Sequence, residues 1–349
     1  MAQPKITRAV DAVASGRDLS ADDAADVLAV IMAGDASEVE IAAFLVALRT
    51  KGETVDELAG LARTMRALSA RVETGRDDLL DTAGTGGGRP TFNVSTTAAL
   101  IAAGAGCAVA KHGNRSATSL SGSADVLEAL GARIDLGPEA VAGCIREAGF
   151  GFMFAPSHHQ ATRFVVPVRK ELGMRTIFNF LGPLTNPAGA TRQLIGVSDP
   201  AYLETVAGAL GRLGAARALV VSSEDGLDEM STAGRTQVVE VTGAGDGGPP
   251  VLERYTVTAA ELGLAPARTQ ELAGGTPADN AHITRRILAG ERGPQRDIAV
   301  LNAGAAIYVS GRTDTLEAGV RAAEEAVDDG SAAAALDRFV ACTQRLATE

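Results

Sequence analysis

The sequence predicts an α/β protein with a small all-helical domain and a larger α/β domain that has a mostly parallel central sheet. Residues 1–75 show only helical patterns, whereas residues 76–349 alternate short apolar runs with helical stretches. Such alternation is typical of a parallel sheet with helices on its faces. Aromatic residues are only 3% of the 349 residues, so Ala, Leu, Val and Ile must build the core. That composition suits helices and buried parallel strands.

Four short helices are predicted in the first domain. The second helix begins after Ser20, a favoured N-cap residue, and ends at Gly34. The fourth helix begins at Thr54, and Glu57 lies three residues later, which is the spacing of a capping box. The apolar stripes of these helices fit internal packing and a subunit interface equally well.

Five strands are predicted in the second domain, over the stretches CAVAKHG, FGFMFAP, ALVVSSEDG, TQVVEVTG and RYTVT. Helices are predicted between them, over SADVLEALGA, PEAVAGCIREAG and AYLETVAGALGRLG. The stretch FNFLGPLTNPAGA is rich in Pro, Gly and Asn and is predicted to be an ordered connector. Residues 243–250 are predicted to form a loop or a hairpin connection.

Bulk charge and cysteine content argue against several classes of protein. The net charge of −11 disfavours a nucleic-acid scaffold. Cys107, Cys144 and Cys342 form no spaced cluster, so neither a disulfide framework nor a zinc site is expected. This cysteine content fits a protein of the reducing cytoplasm. The polar N-terminus lacks the apolar segment of a signal peptide, and no run is long enough to span a membrane.

The first candidate site is the glycine-rich stretch DTAGTGGGRPTFNVSTTAALIAAGAG, residues 81–106. Asn93, Ser95 and Thr96 are good cap residues for the helix predicted behind the glycines. A helix N-terminus presents free N–H groups and binds anions, and small residues before it let a phosphate approach. It is not a Walker loop, because no Lys-Ser/Thr pair follows the glycines. A tight structural turn is the alternative.

A second strand end repeats this arrangement in AKHGNRSATSLSGSADVLEALGA, residues 110–132. A strand predicted to end at Ala110 leads into Lys111, His112 and Asn114, and small hydroxyl residues follow before the next helix. Ligands of parallel α/β sheets bind at the carboxyl ends of strands. Two such loops on neighbouring strands would hold a polyanion with Lys111 as the point charge. A surface loop with a charge pair is the alternative.

A third strand end carries the adjacent acids Asp228 and Glu229 in SSEDGLDEMS. Beside bound phosphates, such a pair indicates a site for a hard cation, since Mg²⁺ bridges one or two carboxylates to phosphate oxygens. An ordinary pair of surface acids is the alternative. A fourth stretch contains the adjacent His158 and His159, which are poorly spaced to bind one metal ion, and Arg169. Composition alone favours a solvated helix face for Arg169, although an Arg there could bind a carboxylate.

Taken together, these motifs resemble the anthranilate phosphoribosyltransferase family of the tryptophan pathway. The resemblance lies in GTGG…TFNVST, KHGNR…SGSADVLEALG, VRKELGMRTIFNFLGPLTNP and DGLDEMS, and it spans about residues 19–310. It implies a helical domain that is completed by a segment near residues 160–190, a hinge, and a homodimer formed through the helical domain. The implied reaction transfers the 5-phosphoribosyl group of phosphoribosyl pyrophosphate to the amine of anthranilate, releases pyrophosphate and requires Mg²⁺.

The resemblance also implies site residues. Contacts to phosphoribosyl pyrophosphate are implied for Gly84, Gly87, Thr91, Asn93, Ser95, Thr96, Lys111, Ser119 and Ser123. Contacts to anthranilate are implied for Gly84, His112, Asn114 and Arg169. Magnesium partners are implied for Ser95, Asp228 and Glu229. No residue is assigned as an obligatory general base, and His112 is the first candidate for one.

One stretch departs from the family pattern. Where the family usually has Asp after GTGG, this chain has Gly88, followed by Arg89 and Pro90, and the loop is one residue shorter. The hypothesis is that Arg89 partly replaces metal-mediated neutralisation of the leaving pyrophosphate.

Two other functions stay open at the level of sequence. One is related transfer chemistry on the same architecture, by a pyrimidine nucleoside phosphorylase or a phosphoribosyltransferase for another aromatic amine. The other is a non-catalytic paralogue that binds nucleic acid. That paralogue should have a basic groove and lack the acidic pair, whereas this acidic chain keeps Asp228 and Glu229.

Overall fold

The computed structural model of the protein describes residues 3–116, 120–243 and 248–347. The four predicted N-terminal helices are present as α1 (Pro4–Ala14), α2 (Ala21–Ala33), α3 (Glu38–Lys51) and α4 (Val55–Ala67). Within the described residues, no helix is both long and apolar enough to cross a bilayer.

Local capping fixes the ends of these helices as the sequence predicts. The Ser20 hydroxyl accepts a hydrogen bond from the Asp23 N–H at 3.1 Å, and Gly34 ends α2 in the left-handed region with φ +82°. Thr54 and Glu57 form the predicted capping box at α4. The fully buried Glu57 also accepts from the Leu19 N–H at 3.0 Å and pairs with Lys51, which ties α4 to the α1–α2 connection and to the end of α3.

The larger domain contains seven strands among the described residues. These strands are β1 (Leu80–Gly84), β2 (Val109–Gly113), β3 (Phe150–Phe154), β4 (Arg192–Gly196), β5 (Arg217–Ser223), β6 (Thr236–Thr242) and β7 (Val251–Val257). The helices that follow α4 are α5 (Val94–Gly104), α6 (Ser123–Ala129), α7 (Pro138–Ala148), α8 (Ala155–His158), α9 (Val166–Leu172), α10 (Phe178–Leu184), α11 (Leu203–Arg212), α12 (Pro277–Leu288), α13 (Pro294–Val309), α14 (Leu316–Asp328) and α15 (Ser331–Leu346).

The strands form one sheet in the order β3-β2-β1-β4-β5-β6-β7. The first five in this order are parallel, and β6 and β7 are added antiparallel. The chain moves outward from β1 to β3 and then returns to the other side of β1 with β4. The topological switch point therefore lies between β1 and β4, where a doubly wound sheet opens a crevice at the carboxyl ends of its strands.

Two apolar cores lie on either side of the sheet. One packs α5, α7 and the C-terminal helices against one face. The other joins the four N-terminal helices to residues 165–184 and to the opposite face of β4–β6. In this second core Leu45 and Leu48 share a cluster with Val168, Leu181 and Ile195. The segment that carries α9 and α10 thus packs with the N-terminal helices as well as with the sheet.

The structure differs from the sequence prediction at three places. The predictions missed β1 and β4, because LDTAG and RQLIG offer few large apolar residues. The connector prediction for FNFLGPLTNPAGA is wrong in part, since its first residues form α10. Finally, β2 continues past Ala110 to Gly113, so Lys111 and His112 lie within the strand rather than after it.

Candidate active site

The carboxyl ends of β1, β2, β4 and β5 bring the predicted loops to one edge of the sheet. Gly84 at the end of β1 is paired in register with Gly196 at the end of β4. A Cβ atom at Gly84 would overlap the Asp228 carboxylate, and a Cβ at Gly196 would overlap the Asp228 carbonyl. The turn after β5 that carries Asp228 and Glu229, here called the acidic turn, therefore packs against both glycines at the switch point. Only residues without a side chain allow this close approach.

The glycine loop, residues 84–88, rests directly on this acidic turn. The Gly86 N–H donates to Asp228 Oδ2 at 2.8 Å, and the Arg89 N–H donates to the Gly226 carbonyl at 3.1 Å. A Cβ at Gly88 would lie 2.9 Å from both Asp228 Oδ1 and the Gly226 carbonyl oxygen. Any side chain at position 88 would move the shortened loop off the turn. Close packing thus accounts for the glycine at position 88.

The first turn of α5 follows the loop and faces the same crevice. Thr96 is buried, and its hydroxyl has no hydrogen-bond partner among the described residues. Ser95 is half-buried, and its carbonyl accepts from the Thr82 hydroxyl at 3.0 Å, which fixes α5 against β1. Thr91, just before α5, is also half-buried. Unpaired hydroxyl and N–H groups at a helix start can bind an anion.

Asn93 has a different local role from the cap that its sequence position suggests. It occupies the N-cap position of α5 but makes no side-chain cap hydrogen bond. Its amide instead donates to the Ser121 carbonyl at 3.1 Å, and its amide oxygen accepts from the Ser121 hydroxyl and from Asn280. Asn93 thus joins the two candidate phosphate loops and α12.

Lys111 points its ammonium group between β1 and α5. Its Nζ donates to the Thr82 carbonyl at 2.5 Å and reaches the Ser95 hydroxyl at 3.5 Å. Burial lowers the Lys111 pKa to about 8, although the charges of Asp81 and Glu229 oppose this shift. The group is therefore a cation at pH 7, held at the strand ends by the Thr82 carbonyl and hydroxyl and by the Ser95 hydroxyl. Such a group stabilises an anionic ligand strongly, because little water competes.

Asp81 and Asn186 form a buried support beneath Lys111 and His112. Asp81 accepts from the His112 N–H at 3.1 Å and from the Asn186 amide at 2.8 Å. The same Asn186 amide donates to the Ala110 carbonyl at 2.8 Å. These contacts join β1, β2 and the segment after α10. Neither residue is among those predicted from the sequence, although Asp81 directly follows the apolar pair Leu79 and Leu80.

His112 is held as a neutral imidazole. Its Nδ1 lies 3.0 Å from the Gly182 carbonyl, so Nδ1 carries the proton and donates. Nε2 is then an acceptor, and it is buried without a partner in the described part of the chain. Burial lowers the His112 pKa to about 3, and the ring packs 5.0 Å from the ring of His159. His112 therefore offers an unoccupied lone pair rather than a positive charge.

The loop after β2 carries three further candidate residues, Asn114, Ser119 and Ser123. Asn114 is exposed, and its carbonyl accepts from the Ser123 hydroxyl at 3.2 Å. Arg115 pairs with Asp125 and Glu128 and so stabilises the loop. Ser119 lies outside the described residues.

Asp228 and Glu229 lie half-buried in the turn after β5. Burial raises the Asp228 pKa, and the Gly86 N–H opposes this rise. Burial, and then the like charge of Asp228, raise the Glu229 pKa well above its ordinary value. Asn302 on α13 holds the turn by accepting from the Met230 N–H and donating to the Met230 carbonyl. Asn302 was missed by sequence reasoning, although it interrupts an apolar helix.

The acidic pair fits a divalent cation that is shared with a ligand. Two adjacent carboxylates with raised pKa values are stabilised when a cation neutralises them. Within residues 3–116, 120–243 and 248–347, no group of three or more His, Cys, Asp or Glu side chains could hold a metal ion alone. A cation here would complete its coordination with ligand oxygens and water, as Mg²⁺ commonly does.

Arg169 lies on α9, half-buried, with its guanidinium 5.5 Å from the centre of the Phe178 ring. Burial lowers its pKa, and no described carboxylate lies within ion-pair distance of it. This position differs from the solvated helix face that composition favoured. A partly buried guanidinium without a carboxylate partner can bind an anionic ligand bidentately.

His158 and His159, at the end of α8, point apart as predicted. His158 Nδ1 lies 3.0 Å from the Ala70 carbonyl, and His159 Nε2 lies 3.0 Å from the Thr185 carbonyl. Burial lowers the pKa of both, that of His159 to about 4. The two imidazoles therefore do not form a shared metal site.

Comparison with protein families covers both parts of the chain. The helical bundle domain of the glycosyl transferase family matches residues 7–69, and the a/b domain of that family matches residues 76–333.

Individual relatives extend the match to nearly the full length. The anthranilate phosphoribosyltransferase of Rubrobacter xylanophilus is 52% identical, over 98% of this chain and 98% of the relative. That of Moorella thermoacetica is 51% identical, over 95% and 96% respectively.

Solved structures agree with the sequence relatives. The crystal structure of anthranilate phosphoribosyltransferase from Thermus thermophilus superposes with a TM-score of 0.89 at 46% identity, covering 96% of this chain and 99% of that one. The Saccharomyces cerevisiae enzyme in complex with PRPP and Mg gives a TM-score of 0.88 at 27% identity, with 99% of both chains covered. The fold, the site geometry and these matches together show that the chain belongs to the anthranilate phosphoribosyltransferase family.

Proposed function

We propose that the protein transfers the 5-phosphoribosyl group from phosphoribosyl pyrophosphate to the amine of anthranilate, with Mg²⁺ as cofactor, in tryptophan biosynthesis. The observation that carries this proposal is the convergence of the glycine loop, the start of α5, Lys111 and the acidic pair at one switch point. Membership of the family supplies the identity of the acceptor, which the geometry alone would leave open.

The donor is proposed to bind along the glycine loop and the two strand ends. Its contacts are assigned to Gly84, Gly87, Thr91, Asn93, Ser95, Thr96, Lys111, Ser119 and Ser123. Among these, Lys111 and Thr96 have the strongest support, since one is a buried cation and the other has an unpaired buried hydroxyl. Asn93 contributes chiefly by fixing the distance between the two loops, because its side chain is already bonded within the protein.

Ser95, Asp228 and Glu229 are proposed to hold Mg²⁺ directly or through water. When bound, Mg²⁺ neutralises charge that develops on the departing pyrophosphate. Asp228 also has a structural role that needs no metal. Its carboxylate accepts a hydrogen bond from the Gly86 N–H and so fixes the conformation of the glycine loop.

The acceptor is proposed to lie between Gly84, His112, Asn114 and Arg169. Arg169 would bind its carboxylate, and the Phe178 ring beneath the guanidinium limits the rotamers available. An aromatic amine is largely neutral at pH 7, so no strong base is needed to generate the nucleophile. As the bond from the amine nitrogen to the anomeric carbon forms and the bond to pyrophosphate breaks, His112 Nε2 is free to accept the amine proton.

The neutral state of His112 predicts that its ring signals stay constant across the physiological range. With a pKa of about 3 in the folded protein, the imidazole is uncharged at every pH from about 5 to 8. Two-dimensional NMR of labelled histidine, with the His112 signals assigned by their loss in His112→Ala, measures this. A titration midpoint near 6.5 for those signals would contradict the assignment of His112 as a neutral acceptor.

Arg89→Ala is expected to raise KM for phosphoribosyl pyrophosphate about tenfold and to increase the Mg²⁺ concentration needed for half-maximal rate. The Arg89 side chain is exposed beside the Gly226 turn and has no ion pair among the described residues. Its charge is therefore available to the pyrophosphate. Steady-state kinetics at several Mg²⁺ concentrations test this, with Arg63→Ala, a paired surface arginine, as the matched control. Unchanged values in Arg89→Ala would remove the hypothesis.

The proposed reaction is tested by the loss of anthranilate fluorescence after phosphoribosyl pyrophosphate and Mg²⁺ are added to the protein. Release of one pyrophosphate per anthranilate consumed is the expected result. A parallel reaction with a pyrimidine nucleoside and phosphate distinguishes the phosphorylase alternative. Turnover of the nucleoside without turnover of anthranilate would contradict the proposal.

The assembly and location of the protein are also proposals. We infer a homodimer formed through the helical domain, and the exposed apolar residues Val39, Val166 and Met174 on or beside that domain support it. Light scattering of the purified protein measures this state directly. Domain bounds of 1–75 and 76–349 are supported by the spans of the two family matches. A cytoplasmic location is supported by three buried cysteines, all free.

A further inference from the structure

We propose that Arg175, together with Ser198, positions the glycine loop for the diphosphate group of the donor. Arg175 lies between α9 and α10, and Ser198 lies two residues after β4. Arg175 is a positioning residue in this account, because it acts on the loop backbone. The inference rests on the proposed function, since it concerns how the same reaction is supported.

Hydrogen bonds join the two side chains to the loop. Arg175 Nη1 donates to the Ser198 hydroxyl at 2.7 Å, and Nη2 donates to the Thr85 carbonyl at 3.4 Å. The Ser198 hydroxyl donates to the Gly86 carbonyl at 3.1 Å, and the Ser198 N–H donates to the Thr85 hydroxyl at 3.4 Å. These contacts are called the Arg175–Ser198 clamp.

Gly87 allows the Arg175 guanidinium to pack directly against the backbone of the glycine loop. Its φ of +77° is in the left-handed region, and a Cβ there would overlap Arg175 Nη1 and lie 2.9 Å from Cζ. Glycine is therefore required at position 87 both for the backbone conformation and for the approach of Arg175. This contact comes from the side of the loop held by Ser198, whereas Asp228 holds the Gly86 N–H.

The clamp has a clear electrostatic consequence for an anionic ligand. Loop carbonyl oxygens repel phosphate, whereas loop N–H groups bind it. Arg175 and Ser198 bind the carbonyls of Thr85 and Gly86, which keeps both directed toward the clamp. A loop fixed in this way does not have to reorganise when the donor binds, so less of the binding free energy is lost to ordering.

Hydrogen bonds rather than dense packing hold Arg175 in place. The guanidinium borders a cavity of about 250 Å³ that is also lined by Arg49, Phe180 and Tyr202. In the described part of the chain, Arg175 has no carboxylate within ion-pair distance. Its directional donors are thus used for the loop, and a point charge at the same position would not reproduce them.

The test measures donor binding and kinetics in clamp variants. Arg175→Ala is expected to raise the calorimetric Kd of phosphoribosyl pyrophosphate with Mg²⁺, and its KM, about tenfold or more. KM for anthranilate at saturating donor should change less than about twofold, and Arg175→Lys should not restore donor binding. Ser198→Ala should weaken donor binding in the same direction, and the double variant should be non-additive. Arg254→Ala, which removes an exposed ion pair on β7, is the control.

The outcomes separate this inference from the proposed function. If the unmodified protein does not bind phosphoribosyl pyrophosphate, both are overturned. If it binds and Arg175→Ala binds equally well, the inference alone fails. Rescue by Arg175→Lys together with normal binding by Ser198→Ala would show a direct contact with the donor charge and overturn the positioning role. Should Arg175→Ala fail to fold, Ser198→Ala decides the matter on the same binding measurement.

Discussion

Lys111→Met is expected to lower kcat/KM for phosphoribosyl pyrophosphate by about a thousandfold at pH 7, the scale expected for removing one preorganised group from an anionic transition state. Lys111 is 1% exposed, and its ammonium group lies between the Thr82 carbonyl and the Ser95 hydroxyl. With a pKa of about 8 it is charged at pH 7. Steady-state kinetics with varied donor and saturating anthranilate give the value.

The substitution keeps most of the side-chain length, so its effect should fall on charge rather than on folding. The thermal midpoint of Lys111→Met should fall by a few degrees, because the buried Asp81 carboxylate loses a cation that favours its charged form, and removal of the buried ammonium group offsets part of this loss. A decrease in kcat/KM below about tenfold, in a variant that folds normally, would contradict the assigned role of Lys111.

Glu229→Gln is expected to reduce kcat/KM about a thousandfold and to weaken the response of the rate to Mg²⁺, because one carboxylate of the proposed cation site loses its charge. Asp228→Asn should reduce it at least as far, since Asp228 also accepts the Gly86 N–H. Kinetics across a series of Mg²⁺ concentrations measure both effects. Asp225→Asn, in the same turn but bonded to Ser231 and Thr269, is a matched control that should stay within about tenfold.

Glu229→Gln should be more stable than the unmodified protein when Mg²⁺ is absent. The Glu229 pKa is raised in the folded state by burial and by Asp228. A raised carboxyl pKa means that ionising Glu229 at neutral pH costs the folded state free energy, and neutral Gln removes that cost. Glu229→Gln should therefore unfold at a higher temperature in chelator, a common result when a functional charge is removed. A lower unfolding temperature would argue against charge repulsion in the acidic turn.

The overall fold could be predicted because its strongest signals are local. Ser20, Thr54 and Glu57 cap helices through contacts three residues away, so the sequence states them directly. Strands β5 and β6 are long apolar runs, and they too were predicted. β1 and β4 were not, because they contain few large apolar residues and carry polar side chains such as Asp81 and Gln193. Their strand conformation depends on the sheet around them rather than on propensity.

The site was predictable where it consists of consecutive residues. The glycine loop, the start of α5 and the acidic pair each occupy one stretch, and all are brought to one edge of the sheet. Asn302 and Arg175 were missed, because each acts on a turn that is far away in sequence. The low His112 pKa likewise depends on burial and on the neighbouring His159, which no local pattern reports.

A crystal structure of the complex with phosphoribosyl pyrophosphate and Mg²⁺ tests the central claim most directly. The account predicts the diphosphate within hydrogen-bonding distance of Lys111 Nζ and the Ser95 hydroxyl, with the cation between it and Glu229. A diphosphate bound away from all three residues would contradict the account.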